Sequence, residues 1–105
     1  DTGRIIENIV YFELLRSGHD VSFGRIDNME VDFIATNTNE KRCIQVTESI
    51  NEPSTRDENL ASLQMIRDNY EKIVTASSCD HPVTEGDIKI IKLQISFWME
   101  ILIHQ

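Results

Sequence analysis

The feature that most constrains this chain is a pair of alternating runs, residues 29–36 and 41–48, divided by the short polar stretch 37–40. In the first, Met29, Val31, Phe33 and Ala35 alternate with Glu30, Asp32, Ile34 and Thr36; in the second, Ile44 and Val46 alternate with Cys43, Gln45 and Thr47. A period of two belongs to strands, and two such runs joined by turn-forming residues make a hairpin. With Thr36 facing Lys41, Ile34 faces Cys43, Asp32 faces Gln45 and Glu30 faces Thr47. All of these then share one face, and directly opposed Cβ atoms stand about 4.5–5.5 Å apart. Asp32 and Gln45 would therefore bring two oxygens into one small space. A slip of one residue would turn every one of these side chains to the other face.

Helical patterns flank the hairpin. Over residues 2–17, Ile5, Ile6, Ile9, Val10, Phe12, Leu14 and Leu15 recur at helical spacing around more than half of the cylinder, which predicts a helix buried on several sides. Gly18 suits its C-terminal stop. Over residues 54–69, Ser54 and Thr55 are each followed by an acid at the capping-box distance, Asp57 and Glu58. Leu60, Leu63 and Ile66 space the buried stripe of that helix, with Ala61 and Met65 beside it and Asn69 as its expected end. Further strands are predicted at 21–26, 73–76 and 88–93, a loop at 77–87 and a short terminal helix at 96–104. The expected order is αβββαββα, an α/β fold with a central mixed sheet flanked by helices. No internal repeat, low-complexity tract or linker interrupts it.

A chain of 105 residues with 40% hydrophobic content fills one core and not two, so residues 1–105 are expected to form a single domain. The sequence runs from Asp1 almost directly into a helical pattern, without a recognisable targeting signal, and reads as a piece of a longer protein. No apolar run approaches the roughly eighteen residues of a membrane span. Cys43 in a strand and Cys79 in a polar loop lack metal-ligand spacing, which argues against a zinc site or a disulfide framework and suits a cytoplasmic location. His19, His81 and His104 form no i, i+4 pair and are expected on the surface, while Phe97 and Trp98 are expected to cover a sheet edge and Tyr70 to anchor a helix end. A net charge of −8 opposes the phosphate backbone, so the domain alone should bind nucleic acid poorly.

Glu7 in the first helix, Asp32 within Glu30-Val31-Asp32-Phe33-Ile34, and Gln45-Val46-Thr47 on the next strand together resemble the layout of the PD-(D/E)XK nuclease superfamily. More narrowly, Gly3-Arg4-Ile5-Ile6-Glu7-Asn8-Ile9-Val10, the Asp32 strand, Ile44-Gln45-Val46 and Arg67-Asp68-Asn69-Tyr70 before Lys72 resemble the C-terminal accessory domain of prokaryotic AAA-like ATPases. That resemblance covers nearly the whole chain and implies a restriction-endonuclease-like core. It makes Glu7, Asp32 and Gln45 the candidate Mg²⁺ ligands and places Thr47 where a catalytic lysine would stand.

The pattern departs from the superfamily twice. Gln is a weaker ligand than carboxylate for a hard cation, and Thr carries no charge to offset a developing anion. Lys41 lies on the same strand but too far from Thr47 to take its place. Glu7 and Asn8 can equally form a polar strip bonded to a neighbouring turn, and Asp32 can equally sit on a solvated sheet face.

The leading expectation is a non-catalytic or catalytically weakened accessory domain. It would serve the upstream ATPase module of its own chain through protein contacts, or position nucleic acid held mainly by that module, with no cofactor and no membrane partner of its own. No Gly-rich loop followed by Lys and Ser/Thr is present, so ATP would bind in the upstream module. The alternative is a Mg²⁺-dependent DNA or RNA nuclease.

Overall fold

In a computed structural model that describes residues 2–80 and 83–93, the two alternating runs pair as an antiparallel hairpin inside a six-stranded sheet. The elements are α1 (Thr2–Arg16), β1 (Asp20–Ile26), β2 (Met29–Thr36), β3 (Lys41–Ser49), α2 (Pro53–Gln64), β4 (Glu71–Ser78), β5 (Val83–Glu85) and β6 (Ile88–Lys92). The sheet order is β1-β2-β3-β4-β6-β5. β3, β4 and β6 run parallel, and the outer pairs β1/β2, β2/β3 and β5/β6 are antiparallel. The hairpin register is the expected one over four pairs, from Thr36 opposite Lys41 to Phe33 opposite Ile44, and does not continue to the expected pairs of Asp32 with Gln45 and Glu30 with Thr47.

Consecutive strand residues point to opposite faces of a sheet, and β3 uses this to bury both sides. Ile44 joins Val10 and Leu14 of α1, with Phe33 and Ala35, in one cluster. Cys43 joins Leu60, Leu63 and Ile66 in another, together with Val74, Ala76, Ile88 and Ile90 of the inner strands. The chain is thus a mixed α/β domain whose central sheet is flanked by two helices. Among the described residues no helix is long and apolar enough to cross a membrane.

Several boundaries differ from the sequence pattern for physical reasons. α1 is buried along Ile6, Ile9, Val10 and Leu14 only; Ile5, Phe12 and Leu15 are exposed, not buried on further sides, because the sheet covers a single face. It ends in a Schellman motif at Gly18 (φ 84°), where His19 N–H donates to Leu14 O at 3.1 Å and Gly18 N–H to Leu15 O at 3.0 Å.

α2 opens on Pro53 after Glu52 without a side-chain cap, in place of the Ser54/Thr55 capping box. It stops at Gln64, short of Asn69, because tertiary partners take the next backbone groups: Lys72 Nζ donates to Ile66 O at 2.8 Å and Arg67 N–H donates to Asp27 Oδ2 at 2.9 Å. The expected loop 77–87 contains β5, hydrogen-bonded to β6 across the Gly86 turn (φ 59°). Cys79 lies just past the end of β4, outside any strand, and is buried. The predicted terminal helix 96–104, with Phe97, Trp98 and His104, and also His81, lie outside the described residues.

Candidate functional site

The site is built by an irregularity in β2. Along the β1/β2 ladder Ser22 faces Ile34 and Gly24 faces Val31, so Phe23 alone opposes both Asp32 and Phe33. This is a β-bulge, a device that bends a strand and re-aims a side chain. It also breaks the alternation of residues 29–36: Met29 and Val31 pack with the α2 cluster, whereas Phe33 and Ala35 pack with the α1 cluster. The simple two-sided pattern therefore does not run through Asp32.

Past the bulge the β2/β3 ladder stops at Phe33 opposite Ile44, and side chains replace backbone in the gap. Asp32 N–H donates to Gln45 Oε1 at 3.0 Å, and Val46 N–H donates to Asp32 Oδ2 at 2.8 Å. The Gln45 amide nitrogen donates to Glu30 O at 3.2 Å and to Ser62 Oγ of α2 at 2.8 Å. Ser62 in turn donates to Asn59 O at 3.4 Å, which fixes its oxygen as the acceptor for Gln45. Asp32 and Gln45 thus form a reciprocal clamp across the split hairpin, latched to α2. Burial pushes the Asp32 carboxyl above its ordinary range, and the Val46 N–H offsets part of that rise.

The clamp floors an open cleft of about 360 Å³ lined by Gly24, Arg25, Glu30, Val31, Asp32 and Gln45. Arg25 and Glu30, paired across the β1/β2 hairpin, form a 3.3 Å ion pair at its rim with both side chains largely exposed. Of the candidates read from the sequence, Asp32 and Gln45 are brought together. Glu7 is exposed on α1 and is not among the residues lining the cleft. Thr47 turns its hydroxyl to Ser49 O at 3.2 Å.

Sequence reasoning missed Ser62 and Arg25. Ser62 is one polar residue among many on α2 and gave no signal. Arg25 could have been found, because the two-residue turn Asp27-Asn28, with φ of 52° and 64°, closes Ile26 on Met29 and so sets Arg25 against Glu30.

Mg²⁺ requires several hard oxygen ligands near octahedral geometry. Here one carboxylate is held by a backbone N–H, and the amide oxygen beside it already accepts from Asp32 N–H. That donor set does not fit the ion. Among the described residues no three His, Cys, Asp or Glu side chains gather closely enough to hold a metal.

Fold and cleft together define an α/β domain with a bulged, side-chain-bridged hairpin beside its edge strand. No family model matches the chain. It is similar to a Haemophilus influenzae (strain ATCC 51907 / DSM 11121 / KW20 / Rd) protein described as "Uncharacterized protein", with 44% identity over 69 residues, covering 66% of this chain. The shared stretch makes up 16% of that protein's length.

Proposed function

We propose that this chain is a restriction-endonuclease-like accessory domain of a prokaryotic AAA-like ATPase, whose nuclease site has been converted into a structural clamp and which acts through contacts with its own ATPase module. The observation that carries this reading is the Asp32–Gln45 bridge. The residues standing at two ligand positions are bonded to each other's strands and to Ser62. The position expected to hold a lysine is Thr47, whose hydroxyl is bonded to its own strand.

Removing a single preorganised electrostatic contact lowers an enzymatic rate by on the order of 10²–10³, so loss of both a ligand charge and the lysine takes activity to background. The net charge of −8 favours protein contacts over an independent hold on nucleic acid. The test is a cleavage assay on single- and double-stranded DNA and RNA with Mg²⁺ or Mn²⁺, using wild type beside Asp32→Ala. Both preparations should leave the substrates intact. Cleavage by the wild type that disappears in Asp32→Ala would establish the nuclease instead.

A further inference from the structure

The clamp uses only half of the Asp32 carboxylate. Oδ2 accepts from Val46 N–H, whereas Oδ1 accepts from nothing among the described residues and is not buried. Asp32 lies at the floor of the 360 Å³ cleft, half-buried. A carboxylate drawn out of water is ordinarily met by a cation, and among the described residues none reaches this one. Arg25 is held at the rim by Glu30, 3.3 Å away, and the rise that burial imposes on the Asp32 carboxyl is offset by the Val46 N–H alone. Two carboxylates therefore line the cleft against one guanidinium, and the negative charge left over sits at the bottom.

We infer that this cleft receives an arginine side chain from a partner segment, its guanidinium donating to Asp32 Oδ1. Charge selects a cation over a phosphate or carboxylate, both in the cleft and in a chain of net charge −8. Chemistry then selects arginine. A hard metal ion needs more oxygens than the clamp leaves free, and an ammonium holds its water more tightly than a guanidinium, whose flat fork of N–H donors suits a carboxylate. The volume stands at the lower end of cavities that take small ligands, enough for one side chain. The rim offers little resistance: Arg25 and Glu30 are 64% and 80% exposed, such pairs contribute little, and Glu30 can turn to the incoming cation. The source of the arginine rests on the accessory-domain reading, which places it in the adjoining module of the same polypeptide. The Haemophilus relative has most of its length outside the shared stretch.

The test titrates the ¹⁵N-labelled chain, without divalent metal, with blocked tripeptides Gly-Arg-Gly, Gly-Lys-Gly and Gly-citrulline-Gly, citrulline being the neutral isostere of arginine. The arginine peptide should move the Gly24, Val31 and Asp32 amides and the Gln45 side-chain amide saturably. The lysine peptide should bind more weakly, and the citrulline peptide at least about tenfold more weakly. Asp32→Asn, which keeps an acceptor for Val46 N–H, should weaken the arginine peptide by about tenfold or more. Arg25→Gln, which frees Glu30, should tighten it. Saturable binding by none of the peptides, lysine or citrulline binding as tightly as arginine, indifference to Asp32→Asn, or weakening by Arg25→Gln would overturn the inference. So would dimethyl phosphate moving the same amides in wild type and not in Arg25→Gln, because the cleft would then take an anion. Metal-dependent cleavage in the nuclease assay would remove the accessory-domain reading alone, since the titration is read without metal. Loss of the arginine preference would remove this inference and leave the accessory-domain reading standing.

Discussion

Replacing Gln45 by Glu changes one nitrogen to oxygen and separates a structural clamp from a dormant metal site. In the clamp the Gln45 nitrogen donates to Glu30 O at 3.2 Å and to Ser62 Oγ at 2.8 Å. A carboxylate can do neither. Ser62 can rotate its hydroxyl toward the new oxygen by giving up Asn59 O, a long contact at 3.4 Å, so that loss is small. Glu30 O loses its donor and faces an acceptor, but the contact is exposed and water can meet the carbonyl, so the loss is about 1 kcal/mol. The new charge also lies beside Asp32, whose carboxyl is already raised by burial, adding from about 1 kcal/mol when screened as in bulk water to about 4 kcal/mol at a surface-like effective dielectric.

Gln45→Glu should therefore lower stability by about 2–5 kcal/mol at neutral pH. The sign with pH follows from the carboxyls. With folded-state values above the unfolded ones, the folded variant binds protons more readily than the unfolded chain, so the deficit is full at neutral pH and shrinks as pH falls through the folded values. Urea unfolding followed by circular dichroism at neutral and mildly acidic pH measures both effects. A variant as stable as wild type at neutral pH, or one stabilised selectively by Mg²⁺, would refute the clamp.

Asp32→Asn keeps an oxygen to accept from Val46 N–H and removes a charge that burial disfavours. Because the folded Asp32 value is raised, ionisation costs stability as pH climbs through it; the variant should match or exceed wild type at neutral pH and show a flatter pH profile, and a neutral-pH loss above about 1 kcal/mol would contradict this. Lys72 is 6% exposed and its ammonium closes the end of the α2 segment on Ile66 O, while its ion-pair partner Asp87 is 72% exposed. Lys72→Met should cost about 1.5–3 kcal/mol in thermal or urea unfolding and Asp87→Ala less than about 0.5 kcal/mol, whereas equal losses would mean that the ion pair and not the carbonyl bond matters.

The hairpin register was legible because the polar stretch 37–40 leaves only one simple pairing for the two alternating runs, and that pairing is observed from Thr36 opposite Lys41 to Phe33 opposite Ile44. The bulge was not legible. Met29, Val31, Phe33 and Ala35 keep their period of two in sequence even though the chain changes face between Val31 and Phe33, and apolar Ile34 marks only that both faces of the sheet accept an apolar side chain. Likewise the pairing of Asp32 with Gln45 could be read from spacing, but not that their polar atoms would be directed at each other's backbone. That depends on Ser62, which reaches the hairpin only once α2 is docked. The early stop of α2 has the same origin: Met65 and Ile66 continue a helical pattern, and only the distant partners Lys72 and Asp27 reveal why the backbone leaves it. β5 escaped notice because three residues, two of them polar, carry too little periodicity to register.

The claim that the cleft floored by Asp32 and Gln45 is closed to metal is tested most directly by titrating the ¹⁵N-labelled chain with Mn²⁺ and following paramagnetic broadening of the Asp32 and Val46 amides and the Gln45 side-chain amide. Bound Mn²⁺ at Asp32 would erase these signals at low occupancy. The clamp predicts that they broaden no more than amides elsewhere on the surface, and that Asp32→Ala changes nothing in the titration beyond the loss of its own contacts. Saturable broadening centred on Asp32 and Gln45, reversed by Mg²⁺ and absent in Asp32→Ala, would contradict the account and restore the cleft as a metal site.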